Sequence, residues 1–172
     1  MIFVTTGTTH HDSRLIVEID RLAGAREIKD DVVAQISTGE YIPSNIAWTR
    51  YVDNISAYYD ASALVICYGG ATVFELLQAG KKFIAVPNRL VQDDHQADVL
   101  RALERRGWIV CCFELERLAG LINKTPNTIP YPRGTALADD VWTYLLSRKN
   151  RAQERRVLTD DTGGGQAGVG AS

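Results

Sequence analysis

No apolar run in this chain approaches the length needed to cross a bilayer. Its opening residues, Met1-Ile2-Phe3-Val4-Thr5, lack the charged stretch and long apolar core of a secretory signal. The expectation is a soluble, cytoplasmic chain whose membrane association, if any, comes through a partner. Cysteine is scarce: Cys67, Cys111 and Cys112 make three, an odd number without metal-type spacing. In or beside apolar strands, they read as small buried hydrophobes in a reducing compartment. Charge of one sign is also missing. A net charge of −2, with basic residues spread along the chain, leaves no nucleic-acid footprint. There is no internal repeat, and neither a Walker A nor a G-x-G-x-x-G sequence, which argues against an ordinary P-loop enzyme.

What remains is an ordinary globular balance of 172 residues, 45% hydrophobic and 23% charged, enough for one domain with a substantial core. Apolar runs predict strands at 2–4, 32–36, 47–52, 64–67, 83–86 and 108–112. Between the first two, Leu15, Ile16, Ile19, Leu22 and Ala23 have helical spacing, with Asp12 or Ser13 as N-cap and Gly24 as stop. Shorter helices are expected at 54–61 and about 114–122, a loop at 125–134, and a last amphipathic helix carrying Leu137, Val141, Tyr144 and Leu145. This alternation predicts an α/β fold, a Rossmann-like parallel sheet with helices on both faces. Residues 1–150 are expected to form that single domain. Residues 151–158 read as a basic helix end or linker, and 159–172 as a disordered Gly-rich tail. The basic residues from Arg148 to Arg156 read as a solvated helix end or as a contact for an anionic membrane surface.

Three strand-to-helix turns carry chemistry, at the carboxyl edge where open α/β sheets bind ligands. The first is Thr6-Gly7-Thr8-Thr9-His10-His11. It is either a plain turn or a place where a glycine lets backbone amides and hydroxyls meet phosphate oxygens. His11 is a candidate general base, and two adjacent histidines with no further ligands make a poor metal site. The second turn, Tyr68-Gly69-Gly70-Ala71-Thr72, opens a helix whose N-terminus suits a diphosphate. Glu75 has two readings there. Thr72-x-x-Glu75 fits a capping box, whereas a nucleotide site would have Glu75 accept hydrogen bonds from ribose hydroxyls. The third piece is Pro87-Asn88 followed by Asp93-Asp94-His95-Gln96. Asp93 or Asp94 is a natural N-cap; His95 and Gln96, in the first turn, are left to face the sheet edge and read sugar hydroxyls.

Taken in order, 2–9, Gly69-Gly70-Ala71-Thr72-x-x-Glu75 and Val86-Pro87-Asn88 with Asp94-His95-Gln96 resemble the glycosyltransferase family 28 C-terminal-domain family. Within it, they are similar to the stand-alone donor-binding subunits of the dolichol pathway and of bacterial exopolysaccharide synthesis. The resemblance covers about residues 1–125. It departs from the family where the glycine turn is one residue tighter and where Tyr68 stands in place of a frequent histidine. It implies the C-terminal half of a GT-B glycosyltransferase, which binds a UDP-sugar and transfers with inversion, without a metal or cofactor. By position, Gly7, Thr8, Gly69, Gly70 and Thr72 would approach the diphosphate and Glu75 the ribose. Asn88, Asp94, His95 and Gln96 would line the sugar pocket. The implied function is transfer of N-acetylglucosamine or another hexose derivative from a UDP-sugar to a lipid-linked acceptor. A membrane-anchored, acceptor-binding subunit would complete the enzyme at the cytoplasmic face. A non-catalytic nucleotide-binding regulatory domain is the alternative.

Overall fold

Short strands without polar alternation are what a parallel sheet covered on both faces requires. Accordingly β1 (Ile2–Thr5), β4 (Leu64–Tyr68) and β5 (Phe83–Val86) are buried from end to end. With β2 (Val32–Gln35), β3 (Ala47–Thr49) and β6 (Val110–Cys111) they form a six-stranded sheet of order β3-β2-β1-β4-β5-β6. Every pairing is parallel. The computed structural model describes residues 1–7, 12–90 and 95–124, without the side chain of His95. These residues belong to one unit, Met1–Tyr131; Pro132–Ser172 divides off as a second. The expected loop at 125–134, the last amphipathic helix, the basic segment at 151–158 and the tail at 159–172 lie outside the described residues.

Alternation along the strands assigns each helix a face. Ile2, Val4, Ile66 and Ile84 meet Leu15, Ile19 and Leu22 of α1 (Arg14–Gly24) and Leu118 and Ile122 of α5 (Leu118–Lys124) in one core cluster. Phe3 points the other way, onto Tyr58 and Tyr59 of α2 (Ile55–Ala61), with ring centroids 4.9 and 6.0 Å away. On that second face the Cys111 thiol reaches the Leu100 carbonyl of α4 (His95–Arg105) at 3.7 Å. The remaining helix, α3 (Ala71–Gln78), links β4 to β5. The expected α/β fold with helices on both faces is therefore present. All three cysteines are buried and unpaired, and burial pushes the Cys67 thiol up to about 12.

Local details differ from expectation. α1 does end at Gly24, with Ala25 as its cap, but the positive φ of 59° belongs to Arg26 and not to a glycine. The glycine also gives room to a neighbour, since a Cβ there would stand 2.9 Å from the side-chain amide of Asn45. Ser13 is the N-cap of α1 without a side-chain bond. Asp12 does that work, its Oδ1 accepting from the Arg14 amide at 3.0 Å. Asn54 caps α2, accepting from the Ala57 amide at 3.2 Å.

Candidate functional site

The order in which strands are added across the sheet reverses between β1 and β4. From β1 the chain crosses to β2 on one side, and from β4 to β5 on the other. The crevice at the carboxyl ends of such neighbours is the usual ligand position of an open α/β sheet. A cavity of about 490 Å³ lies there, within the size range of small-molecule sites. The structure brings seven of the expected residues to it: Gly7 after β1, Gly69, Gly70, Thr72 and Glu75 after β4, Asn88 after β5, and Gln96 on α4. Thr8, His11 and Asp94 lie outside the described residues, as does the side chain of His95. Among the described residues, no three potential metal ligands cluster and no helix is long and apolar enough to cross a membrane.

The start of α3 removes the capping-box reading of Glu75. Its N-cap is Gly70, at φ 155°, and no side chain caps the helix. Thr72 is thus the second helical residue, and a Thr72–Glu75 capping box does not form. The reason lies in β4, which continues through buried Tyr68 and leaves only Gly69 and Gly70 for the turn. A φ of 155° favours glycine, which accounts for Gly70. The Val73 amide folds back on the Gly70 carbonyl at 3.2 Å. The Ala71 and Thr72 amides have no acceptor within the helix and form its positive end. Glu75 is exposed at the cavity, one turn farther on.

Gln96 has a firmer structural duty than its position in the sequence implied. Its Nε2 donates to the Gly69 carbonyl and its Oε1 accepts from the Asn88 amide at 2.7 Å. The Gly69 amide is committed too, donating to the Val86 carbonyl at 2.7 Å. One side chain therefore satisfies a carbonyl and an amide left over at the ends of β4 and β5. It braces the two turns against each other, so it is not simply left to face the sheet edge. A Cβ on Gly69 would stand 2.9 Å from the Gln96 Cγ and 2.8 Å from Leu100 Cδ1. The first glycine of the pair is thus there for close packing of α4. Asn88 is buried, and its Oδ1 accepts from the Leu90 amide at 2.9 Å.

Sequence reasoning missed three contributors. Tyr68 Oη donates to the Asp12 carbonyl at 3.0 Å and accepts from the Leu15 amide at 3.1 Å, pinning the start of α1 to the end of β4. Beside it, burial pushes the Asp12 carboxyl up, but hydrogen bonds and charge from Arg14 outweigh burial and hold it below the usual range. Gln35 joins the β1 edge to the loop after β3: Nε2 donates to Thr5 Oγ1 at 3.4 Å, and Oε1 accepts from the Val52 amide at 3.0 Å. Tyr59 borders the cavity from α2.

Residues 1–136 match the model of the glycosyltransferase family 28 C-terminal domain. One relative is the UDP-N-acetylglucosamine--N-acetylmuramyl-(pentapeptide) pyrophosphoryl-undecaprenol N-acetylglucosamine transferase of Ruminiclostridium cellulolyticum. It is 34% identical over 96 residues, 55% of this chain and 26% of that protein. Another is the UDP-N-acetylglucosamine transferase subunit ALG13 of Homo sapiens, 28% identical over 123 residues, 64% of this chain and 11% of that protein. Among solved structures, Acinetobacter baumannii MurG superposes with a TM-score of 0.54 at 22% identity, over 74% of this chain and 43% of that one. The chain thus spans less than half the length of each of these proteins.

Proposed function

The chain belongs to the glycosyltransferase family 28 C-terminal domain family, and we propose on that premise that it is the donor-binding half of a two-component inverting glycosyltransferase. It takes a UDP-sugar, N-acetylglucosamine or another hexose derivative, and its acceptor is lipid-linked. The acceptor half is a membrane-anchored partner subunit that recruits this chain to the cytoplasmic face. One observation carries the reading: the Gly70 cap leaves two helix amides open to the same cavity in which Glu75 stands free of any capping duty. Second and fifth residues of a helix differ by roughly 4.5 Å along its axis. That spacing suits a diphosphate at the helix end and ribose hydroxyls on the carboxylate.

In the reaction, the acceptor hydroxyl attacks the anomeric carbon from the face opposite the diphosphate. The bond from that carbon to the β-phosphate oxygen breaks, UDP leaves with the electron pair, and the configuration inverts. The Ala71 and Thr72 amides meet the charge that grows on the leaving group. A base, either His11 or a group of the partner, takes the hydroxyl proton. The test is a transfer assay with UDP-N-acetylglucosamine and a lipid-linked acceptor, on the chain alone and then with the membrane-anchored subunit. Turnover only in the pair is the expected outcome; robust turnover by the chain alone would overturn the two-component reading.

A further inference from the structure

Tyr59 takes no part in the steps above, yet its hydroxyl is anomalous. The residue is 5% exposed, and its ring is seated edge-on against Phe3. Phenylalanine would satisfy that packing equally well. Tyr59 Oη is the one buried side-chain polar atom among the described residues with no hydrogen-bond partner. Buried hydroxyls are normally paired, and an orphan one calls for an explanation, of which a role at a binding or catalytic site is one. Here it lines the cavity that also holds Thr72 and Glu75. The Thr72 hydroxyl is its polar neighbour, near enough for a weak hydrogen-bonding influence on the phenol but outside ordinary hydrogen-bond geometry.

The chemistry of the pair Tyr59 and Glu75 is complementary. Burial, reinforced by the charge of Glu75, pushes the phenol up to about 12 and the Thr72 hydroxyl opposes this only in part. The phenol therefore keeps its proton and acts as a donor, while the Glu75 carboxylate is an acceptor. A group placed between them has to accept on one side and donate on the other. A sugar hydroxyl does both with a single oxygen, which a hydrogen or an ether cannot.

We propose that Tyr59 is a specificity-determining residue of the donor pocket, its O–H donating to the oxygen of the ribose hydroxyl whose own proton goes to Glu75. The proposal rests on the donor reading and deepens it. It makes the pocket selective for ribose over deoxyribose nucleotides, because a deoxy sugar leaves the phenol as unpaired as it is without ligand.

Calorimetry on the full chain, with UDP, 2′-deoxy-UDP and 3′-deoxy-UDP against wild type and Tyr59→Phe, tests this, with thermal melts of both proteins alongside. The expected result is a Tyr59→Phe protein that melts at or above the wild-type temperature and binds UDP about 3- to 10-fold more weakly. That loss should disappear against one of the two deoxy nucleotides. Equal UDP affinity in the two proteins would overturn the proposal, as would an equal loss against all three nucleotides. A Tyr59→Phe melt several degrees lower would also overturn it, since the hydroxyl would then have a partner in the unliganded protein. Failure of the wild type to bind UDP would remove the donor reading together with this one. Normal UDP binding by wild type and Tyr59→Phe alike would remove this one alone.

Discussion

Gln96 shows how a single polar side chain can decide the shape of a site. Its amide joins the Gly69 carbonyl to the Asn88 amide, so removing it takes a hydrogen bond from each of two backbone groups. Each unsatisfied buried group costs about 1–3 kcal/mol. Replacing Gln96 with Leu is expected to lower the melting temperature by several degrees and UDP affinity in parallel, read by calorimetry and thermal melts. A large loss of affinity with an unchanged melt would assign Gln96 to the ligand and not to the brace. The roles of Glu75 and Gln96 were only half legible. Thr72-x-x-Glu75 has the spacing of a capping box, and which residue caps depends on where β4 stops, a boundary that sequence pattern locates poorly. The brace spans 27 positions, and no local pattern encodes it.

At the scale of elements, the loops that feed the sheet are held by buried charge. Asp20 on α1 is 1% exposed. Its carboxylate accepts from the Asn45 amide at 2.6 Å, the Ser44 amide at 3.1 Å and the Tyr41 hydroxyl at 2.7 Å, tying down the segment between β2 and β3. Burial alone would raise its pKa, but these hydrogen bonds outweigh burial and hold the carboxyl below the usual carboxylate range. A native value depressed below the unfolded one adds stability that is present above the unfolded pKa and lost as pH falls through the native value. Melting curves from about pH 7 down to about pH 3 should show wild type losing stability at the acid end. Asp20→Asn should begin less stable and converge on wild type there; a constant gap at every pH would contradict the assignment. Strand and helix positions were legible because apolar runs and helical spacing are strong signals. Less visible were the glycines. Gly24 ends α1 and is also a contact point for the Asn45 side chain, while Arg26 takes the left-handed position.

For the whole molecule, the informative property is the order of the strands. Six parallel strands in the order β3-β2-β1-β4-β5-β6 put the reversal of strand progression between β1 and β4. That reversal gathers three loops, far apart in sequence, around one cavity. The β/α alternation announced the fold class, and the three turn motifs announced the carboxyl edge. Tyr59 and Gln35 could be found only once tertiary packing had brought α2 and β2 beside the turns. The central claim is that this edge binds the nucleotide of a UDP-sugar through the α3 N-terminus and Glu75. Calorimetry with UDP on wild type and Glu75→Gln, alongside thermal melts, tests it most directly. Hydrogen bonds to a charged acceptor are worth about 1.5–3 kcal/mol, so the variant should bind UDP at least roughly 10-fold more weakly while melting at the wild-type temperature. Unchanged UDP affinity in Glu75→Gln, or no UDP binding by the wild type, would contradict it.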